Sequence, residues 1–209
     1  MLQANHETMK NMEANKLNQP TTGKALVSTK RLLYEQPRIR REWAMPNKWT
    51  FTIEPIRKLI CKYVGDGKGW IDPFAGENSP AEIRNDLNPN RPAEYHLEAK
   101  EFAKIIDGTF KGVLFDPPYS NRQIKECYEG IGLTVHQSDT QSSFYGDVKN
   151  FLAPKIEVGG IAISFGWNSS GFGLKRGFRI VEILLVAHGG AKNDTICTVE
   201  MKTQGSLFV

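Results

Sequence analysis

Asp116-Pro117-Pro118-Tyr119 is the segment of this sequence with the most specific chemical content. Neither proline carries an N–H, so the corner offers carbonyls without competing donors. Proline after Asp116 also keeps that aspartate out of the helical region, in line with the apolar run Val113-Leu114-Phe115 before it. The product is a stiff row of acceptors, the Asp116 carboxylate and the Pro117 carbonyl, with the Tyr119 ring beside it. Such an edge suits an aromatic amine, as in the exocyclic amino group of adenine. The lone pair of that nitrogen is delocalised into the ring, which makes it a poor nucleophile. Two acceptors that take both hydrogens favour a tetrahedral nitrogen and release the lone pair for attack. Acceptors fixed in advance where charge develops are the usual source of large electrostatic gains. Tyr119 adds a stacking face for a base swung out of a duplex. The plain alternative is a rigid turn.

Three further segments gain weight from their order. Ile71-Asp72-Pro73-Phe74-Ala75-Gly76 runs from a strand end into a tight loop, where Gly76 permits close backbone approach to a ligand. Asn85-Asp86-Leu87-Asn88-Pro89 places a carboxylate where it can hold a ribose diol. Glu98 could accept from an adenine amino group. Taken singly, these are a strand-ending turn, an acid before a turn and a surface acid.

The elements that must position these residues read as an α/β series. From Ile53 to Val64 apolar residues recur at helical spacing, Pro55 suits a first turn, and Gly65-Asp66-Gly67 ends the helix. Gly69–Asp72, Ala81–Asp86, Glu94–Glu98 and Gly112–Asp116 are short apolar segments closed by acids, the pattern of buried parallel strands. Ala99 to Ile106, Gln123 to Glu129 and Phe144 to Leu152 read as helices, and Gly159–Phe165 as a strand. Ile180–Ala187 and Thr195–Met201 read as a closing hairpin across Gly189-Gly190 and Asn193-Asp194. Open sheets of this kind bind ligands at the carboxyl ends of their strands, so the acids at 72, 86, 98 and 116 are expected along one edge.

Composition sets wider bounds. The 209 residues, 40% hydrophobic and 24% charged, suit one domain with a sizeable core. The apolar runs are too short to span a bilayer, and the polar start lacks a secretory signal, so a cytoplasmic protein is expected. Cys61, Cys127 and Cys197 are widely spaced without a partner at ligand spacing, which indicates neither a disulfide framework nor a metal site. A net charge of +4 permits a nucleic-acid partner. Basic residues concentrate at Lys24, Lys30, Arg31, Arg38, Arg40, Arg41 and Lys48, interleaved with Trp43 and Trp49. That stretch could follow a phosphate backbone, or be a solvated arm anchored by its tryptophans. The expected division is a polar and basic extension over 1–45, loose over its first 22 residues, and a domain over 46–209.

Asp72-Pro-Phe-Ala-Gly76 followed by Phe115-Asp-Pro-Pro-Tyr-Ser120 resembles the amino-methyltransferases, especially small orphan DNA adenine methyltransferases of phage and mobile elements. The likeness runs from about Pro46 to the carboxyl end. It implies a Rossmann-like, seven-stranded mixed sheet of the class I methyltransferases with its last strand antiparallel. It also implies S-adenosyl-L-methionine as methyl donor and adenine N6 in DNA as acceptor. By family position, Asp72, Pro73, Phe74, Ala75 and Gly76 line the methionine part, Asp86 the ribose and Glu98 the adenine, while Phe51 resembles the cofactor-side segment before the first helix. Asp116 and Tyr119 are implied to be catalytic, with Pro117 acting through its carbonyl and Pro118 stiffening the corner. The alternatives are an RNA or protein amide methyltransferase and a catalytically silent DNA-binding module. Two departures stand out: Glu77-Asn78-Ser79 replaces a second glycine, and only 14 positions separate Asp72 from Asp86, so the helix between them must be very short or absent.

The chain leaves no room for a separate target-reading insertion. The candidates for that task are Ser120 to Gly146, with Ser120, Arg122, Lys125 and His136, and the loop Gly166 to Gly173 with Trp167, running to Lys175, Arg176 and Arg179. Glycine and serine around Trp167 and Phe172 suit a mobile loop that closes over substrate, or a connection whose aromatics sit in the core. A short or loose recognition sequence is expected.

Overall fold

The computed structural model describes residues 36–132, 142–190 and 192–203. The polar tail, Lys24, Lys30, Arg31 and His136 lie outside the described residues. The elements are β1 (Arg38–Trp43), α1 (Glu54–Val64), β2 (Trp70–Asp72), β3 (Ile83–Arg84), α2 (Ala99–Ile105), β4 (Phe110–Phe115), α3 (Asn121–Glu129), α4 (Ser142–Leu152), β5 (Ile156–Gly166), β6 (Phe178–Ala187) and β7 (Thr195–Lys202). They build one seven-stranded sheet in the order β1-β6-β7-β5-β4-β2-β3. Pairing is parallel except at β7, which runs antiparallel to both β5 and β6. The fold is the α/β, Rossmann-like mixed sheet that the resemblance implied. Among the described residues no helix is long and apolar enough to cross a membrane.

Both sheet faces are covered, as the near-continuous apolar strands require. On one face α1 buries Ile56, Leu59 and Ile60 against Leu114, Ile163, Leu184 and Val199. On the other, α2 and α4 bring Phe102, Val148 and Leu152 against Ile71, Val113, Phe115 and Ala162. α1 starts with Pro55 in its first turn and ends at Gly65, whose positive φ reverses the chain.

Two corrections concern the strands. Residues 38–43, assigned above to the extension, form the edge strand β1 and pair with β6 along their whole length, from Arg38 opposite Glu182 to Trp43 opposite Ala187. Arg40 faces inward and donates from Nε to Glu182 Oε1 at 2.8 Å, while Tyr63 donates to Glu182 Oε2 at 2.7 Å and Lys62 pairs with the same oxygen. Burial alone would raise the Glu182 carboxyl, but Lys62, Tyr63 and Arg40 together draw it down to about 2. Three of the seven basic residues of that stretch, Arg38, Arg40 and Arg41, therefore lie in the sheet. Conversely, 94–98 is not a strand: beside β3 it forms one isolated parallel bridge, between Asn85 and Tyr95. Glu94 turns back to pair with Arg84 instead.

The short spacing between Asp72 and Asp86 has the expected consequence. β2 and β3 are joined by turns over 73–82 without a helix. β2, β3 and β4 all finish on the same side, which brings the segments after Asp72, Arg84 and Phe115 to one sheet edge.

Candidate active site

A cavity of about 610 Å³ opens at that edge. It is lined by the loop Pro73–Asn78, by Asn85 to Asn88, by Leu97 and Glu98, by Asp116 to Tyr119, and by Thr50 and Phe51 ahead of α1. Residues from α3 and α4, including Gln123, Tyr128 and Tyr145, close its far wall. Its volume is that of an ordinary small-molecule site. Five segments separated in sequence thus meet in one cleft, with α3 and α4 behind them.

Asp72 lies below this cleft rather than on its wall. Fully buried, it accepts from Phe74 N at 2.9 Å and from Ser79 Oγ at 2.6 Å, and so holds the loop from underneath. Burial pushes its carboxyl up to about 7; the bonds from Ser79 and Phe74 oppose the rise, and the charges of Asp116 and Asp86 add to it.

Asp86 binds the loop from the other side. Its Oδ2 accepts from Gly76 N at 2.9 Å and its Oδ1 from Asn88 N at 2.8 Å. Gly76 has φ +59°, a conformation that disfavours side chains, so the turn needs glycine. Asn85, unmarked by the sequence reading, ties the layers together. Its amide donates to Pro73 O at 3.0 Å and Leu97 O at 2.9 Å and accepts from Leu97 N at 3.0 Å. An asparagine in an apolar strand end was the available signal. These side-chain bonds supply the rigidity that a helix after β2 would otherwise give.

On the opposite wall, Tyr128 donates to Glu98 Oε1 at 2.8 Å. Phe51 is buried against Phe165, ring centres 5.1 Å apart. Phe74 packs edge-on against Phe115 at 5.2 Å and Tyr145 at 5.9 Å. Trp49 closes the rim, with the Lys48 ammonium 4.6 Å and the Arg91 guanidinium 4.9 Å from its ring centre.

The corner Asp116–Tyr119 is tied down by its neighbours. Gln123 Oε1 accepts from Tyr119 N at 2.7 Å and Ser120 N at 3.1 Å, and Tyr145 donates to Pro118 O at 3.0 Å. The Tyr119 hydroxyl donates to Asp116 Oδ1. Burial pushes the Asp116 carboxyl up to about 6, although the Tyr119 and Thr50 hydroxyls favour its ionised form. Burial and the Asp116 charge raise the Tyr119 hydroxyl well above the phenol range, so it stays a donor. The Tyr119 ring meets Trp167 at 5.8 Å with a tilt of 56°.

The residues expected to touch nucleic acid divide. Trp167 stands at the corner, 44% exposed. Ser120 is the N-cap of α3, its hydroxyl accepting from Gln123 N, so its polar group serves the helix. Arg122 and Lys125 lie on the outer face of α3 in ion pairs with Glu126 and Glu129 and do not line the cavity. Arg176 points inward, bonded to Asn150, Phe172 O and Gly146 O. Lys175 is exposed and away from the cavity lining.

No protein-family model and no curated protein matches the sequence. Among solved structures, the chain is similar to TrmN from Thermus thermophilus, with a TM-score of 0.50 and 16% identity over 72% of this chain. It spans about half of that protein, 49% of its length. It is also similar to an rRNA methylase from Streptococcus thermophilus (TM-score 0.45, 8% identity, 70% of this chain and 93% of that one). A third likeness is to SMU.1697c from Streptococcus mutans, solved in complex with SAH (TM-score 0.45, 11% identity, 75% of this chain and 99% of that one). The sheet order and the likeness to TrmN together give the chain the Rossmann-like methyltransferase fold.

Proposed function

We propose that this protein transfers a methyl group from S-adenosyl-L-methionine to the N6 amino group of an adenine turned out of DNA. The observation that carries the reading is the convergence of Asp116, Tyr119, Asp86, Glu98 and the Gly76 loop on one cleft. The chemistry of that cleft fits the cofactor. Its charged lining is Glu77, Asp86, Glu98, Asp116 and Glu126 against Lys48 and Arg91, an acidic surround for a sulfonium. Asp86 already accepts two main-chain bonds, yet its carboxylate keeps lone pairs for a ribose diol. Glu98 would take the adenine amino group, Phe51 and Phe74 the apolar edges, and the backbone of 73–76 the methionine part. When bound, the cofactor supplies an electrophilic methyl group.

The remaining work falls to this chain's own groups. Asp116 and the Pro117 carbonyl accept the two amine hydrogens, which localises the lone pair on nitrogen. Tyr119 and Trp167 offer ring faces to the base. Asp72 and Asn85 hold the loop below, and alignment with exclusion of water does the rest.

Labelled S-adenosylmethionine incubated with unmethylated DNA, RNA and protein extracts tests the reading. Label is expected in DNA as N6-methyladenine and is expected to vanish in Asp116→Ala. Label confined to RNA or protein, or full activity in Asp116→Ala, overturns it.

A further inference from the structure

The loop after β5 is gripped by charged side chains along its second half. Buried Glu200 of β7 accepts from Phe172 N and from Gly173 N, the latter at 2.8 Å. The chain crosses this carboxylate so closely that a Cβ on Gly171 would stand 1.9 Å from Oε2. Lys149 of α4 donates to Ser170 O at 3.2 Å and Gly171 O at 2.9 Å, its ammonium 4.8 Å from the Phe115 ring centre. Arg176 donates to Phe172 O at 2.7 Å and anchors to α4 through Gly146 O at 3.2 Å and Asn150 Oδ1 at 2.8 Å. Phe172 itself, 1% exposed, is wedged between Phe115 and Phe178 at 5.7 and 5.0 Å. The first half of the loop projects instead, with Trp167 out against Tyr119.

Core closure alone would need only Phe172. Withdrawing the Glu200 carboxylate from water, and the Lys149 and Arg176 cations in part, is costly, and apolar packing covers a loop more cheaply. What charge-assisted bonds to successive main-chain groups add is a fixed path for the backbone. We propose that Lys149, Arg176 and Glu200 are positioning residues that set Trp167 in advance as a fixed wall beside Tyr119, against which the target base is received. The inference rests on the base-methylation reading of the cleft and deepens it: the loop is a preset wall, not a lid that closes on substrate. Its rim, not its clamped half, meets the nucleic acid.

The test uses the full chain, unmethylated genomic DNA as probe, and acrylamide quenching of Trp167, read as the difference between each protein and its Trp167→Phe counterpart. Lys149→Met and Glu200→Gln are expected to raise the KM for DNA about tenfold and the quenching constant at least about twofold, with the cofactor KM within about twofold. Lys149→Arg keeps donors for both carbonyls and is expected to restore the quenching. In a Trp167→Ala background the same substitutions are expected to add no further loss, because the clamp acts through that indole. Should Lys149→Met fail to fold, Glu200→Gln carries the same readings. Unchanged quenching, or an equal rise in KM in the Trp167→Ala background, overturns the proposal. Quenching needs no substrate, so absent transfer to DNA counts against the proposed reaction while the clamp is still decided.

Discussion

The Tyr119 hydroxyl donates its hydrogen bond to the Asp116 carboxylate, three residues back across the prolyl corner. The ring proposed to receive the base and the acceptor proposed for the amine are therefore linked before any substrate arrives. An incoming amine must take the free oxygen lone pairs of Asp116 or displace the phenol.

That link separates two substitutions at Tyr119. Tyr119→Phe keeps the ring and removes the donor, so kcat is expected within about tenfold of the parent, whereas Tyr119→Ala loses stacking worth about 1–3 kcal/mol, or about 5- to 160-fold. Because the phenol bond lowers the Asp116 carboxyl, Tyr119→Phe should also move the acid limb of the kcat profile to higher pH. Equal losses in the two variants, with no shift of the limb, would remove the stacking role.

In the proposed reaction Asp116 must be ionised to accept from the amine, and burial holds its carboxyl at about 6. Activity is expected to fall about tenfold per pH unit below that point, as for a single essential base. The stability consequence has the opposite sign. Asp116 and Asp72, at about 6 and about 7, both stand above the unfolded value of about 3.9, so the folded state binds more protons between. Stability from these two groups is lowest above pH 7 and recovers as pH falls through 7 toward 4. Urea midpoints across pH 5–8 check this; Asp72→Asn should flatten the slope, and an unchanged slope contradicts the assignment.

Removing Asn85 should loosen the whole cofactor side. Asn85→Ala strips the bonds to Pro73 O, Leu97 O and Leu97 N in a buried position, at an expected cost of about 2–3 kcal/mol. Titration calorimetry with S-adenosylhomocysteine should show weakened binding while the Asp116 acid limb stays in place. A parent-like melting temperature and affinity would refute this.

The Glu182 cluster predicts how β1 detaches. Glu182→Ala leaves Arg40 and Lys62 without their shared carboxylate, and breaking such a pair costs about 3 kcal/mol, the lower end because Lys62 is half exposed. In the parent the folded carboxyl sits at about 2, below the unfolded value of about 4.3, so this contribution is present above the latter and lost as pH falls toward 2. Faster proteolysis ahead of residue 43 in Glu182→Ala, with α1 intact, is the expected result.

How much of this was legible in the chain follows from what each feature depends on. The chemistry of Asp116 to Tyr119 rests on covalent properties of proline and on the residue before it, which travel with the sequence. The helix over Ile53–Val64 and the strands ending at Asp72 and Asp116 are local periodicities, and they were readable for that reason. The missing helix after β2 followed from a count of residues. Other features depend on partners far along the chain. Arg38–Trp43 looks like a solvated arm because its pairing strand, and the Glu182 that receives Arg40, lie 142 positions away. Asn85, Tyr128 and Gln123 are ordinary polar residues until three loops close around them. Arg176 and Trp167 share one basic, glycine-rich segment, and only partners far along the chain, Gly146 O and Asn150 for the arginine and Tyr119 for the indole, show that the one turns in while the other turns out. A side chain's type is written in the sequence; which way it faces is settled by the long-range burial that neighbouring residues cannot report.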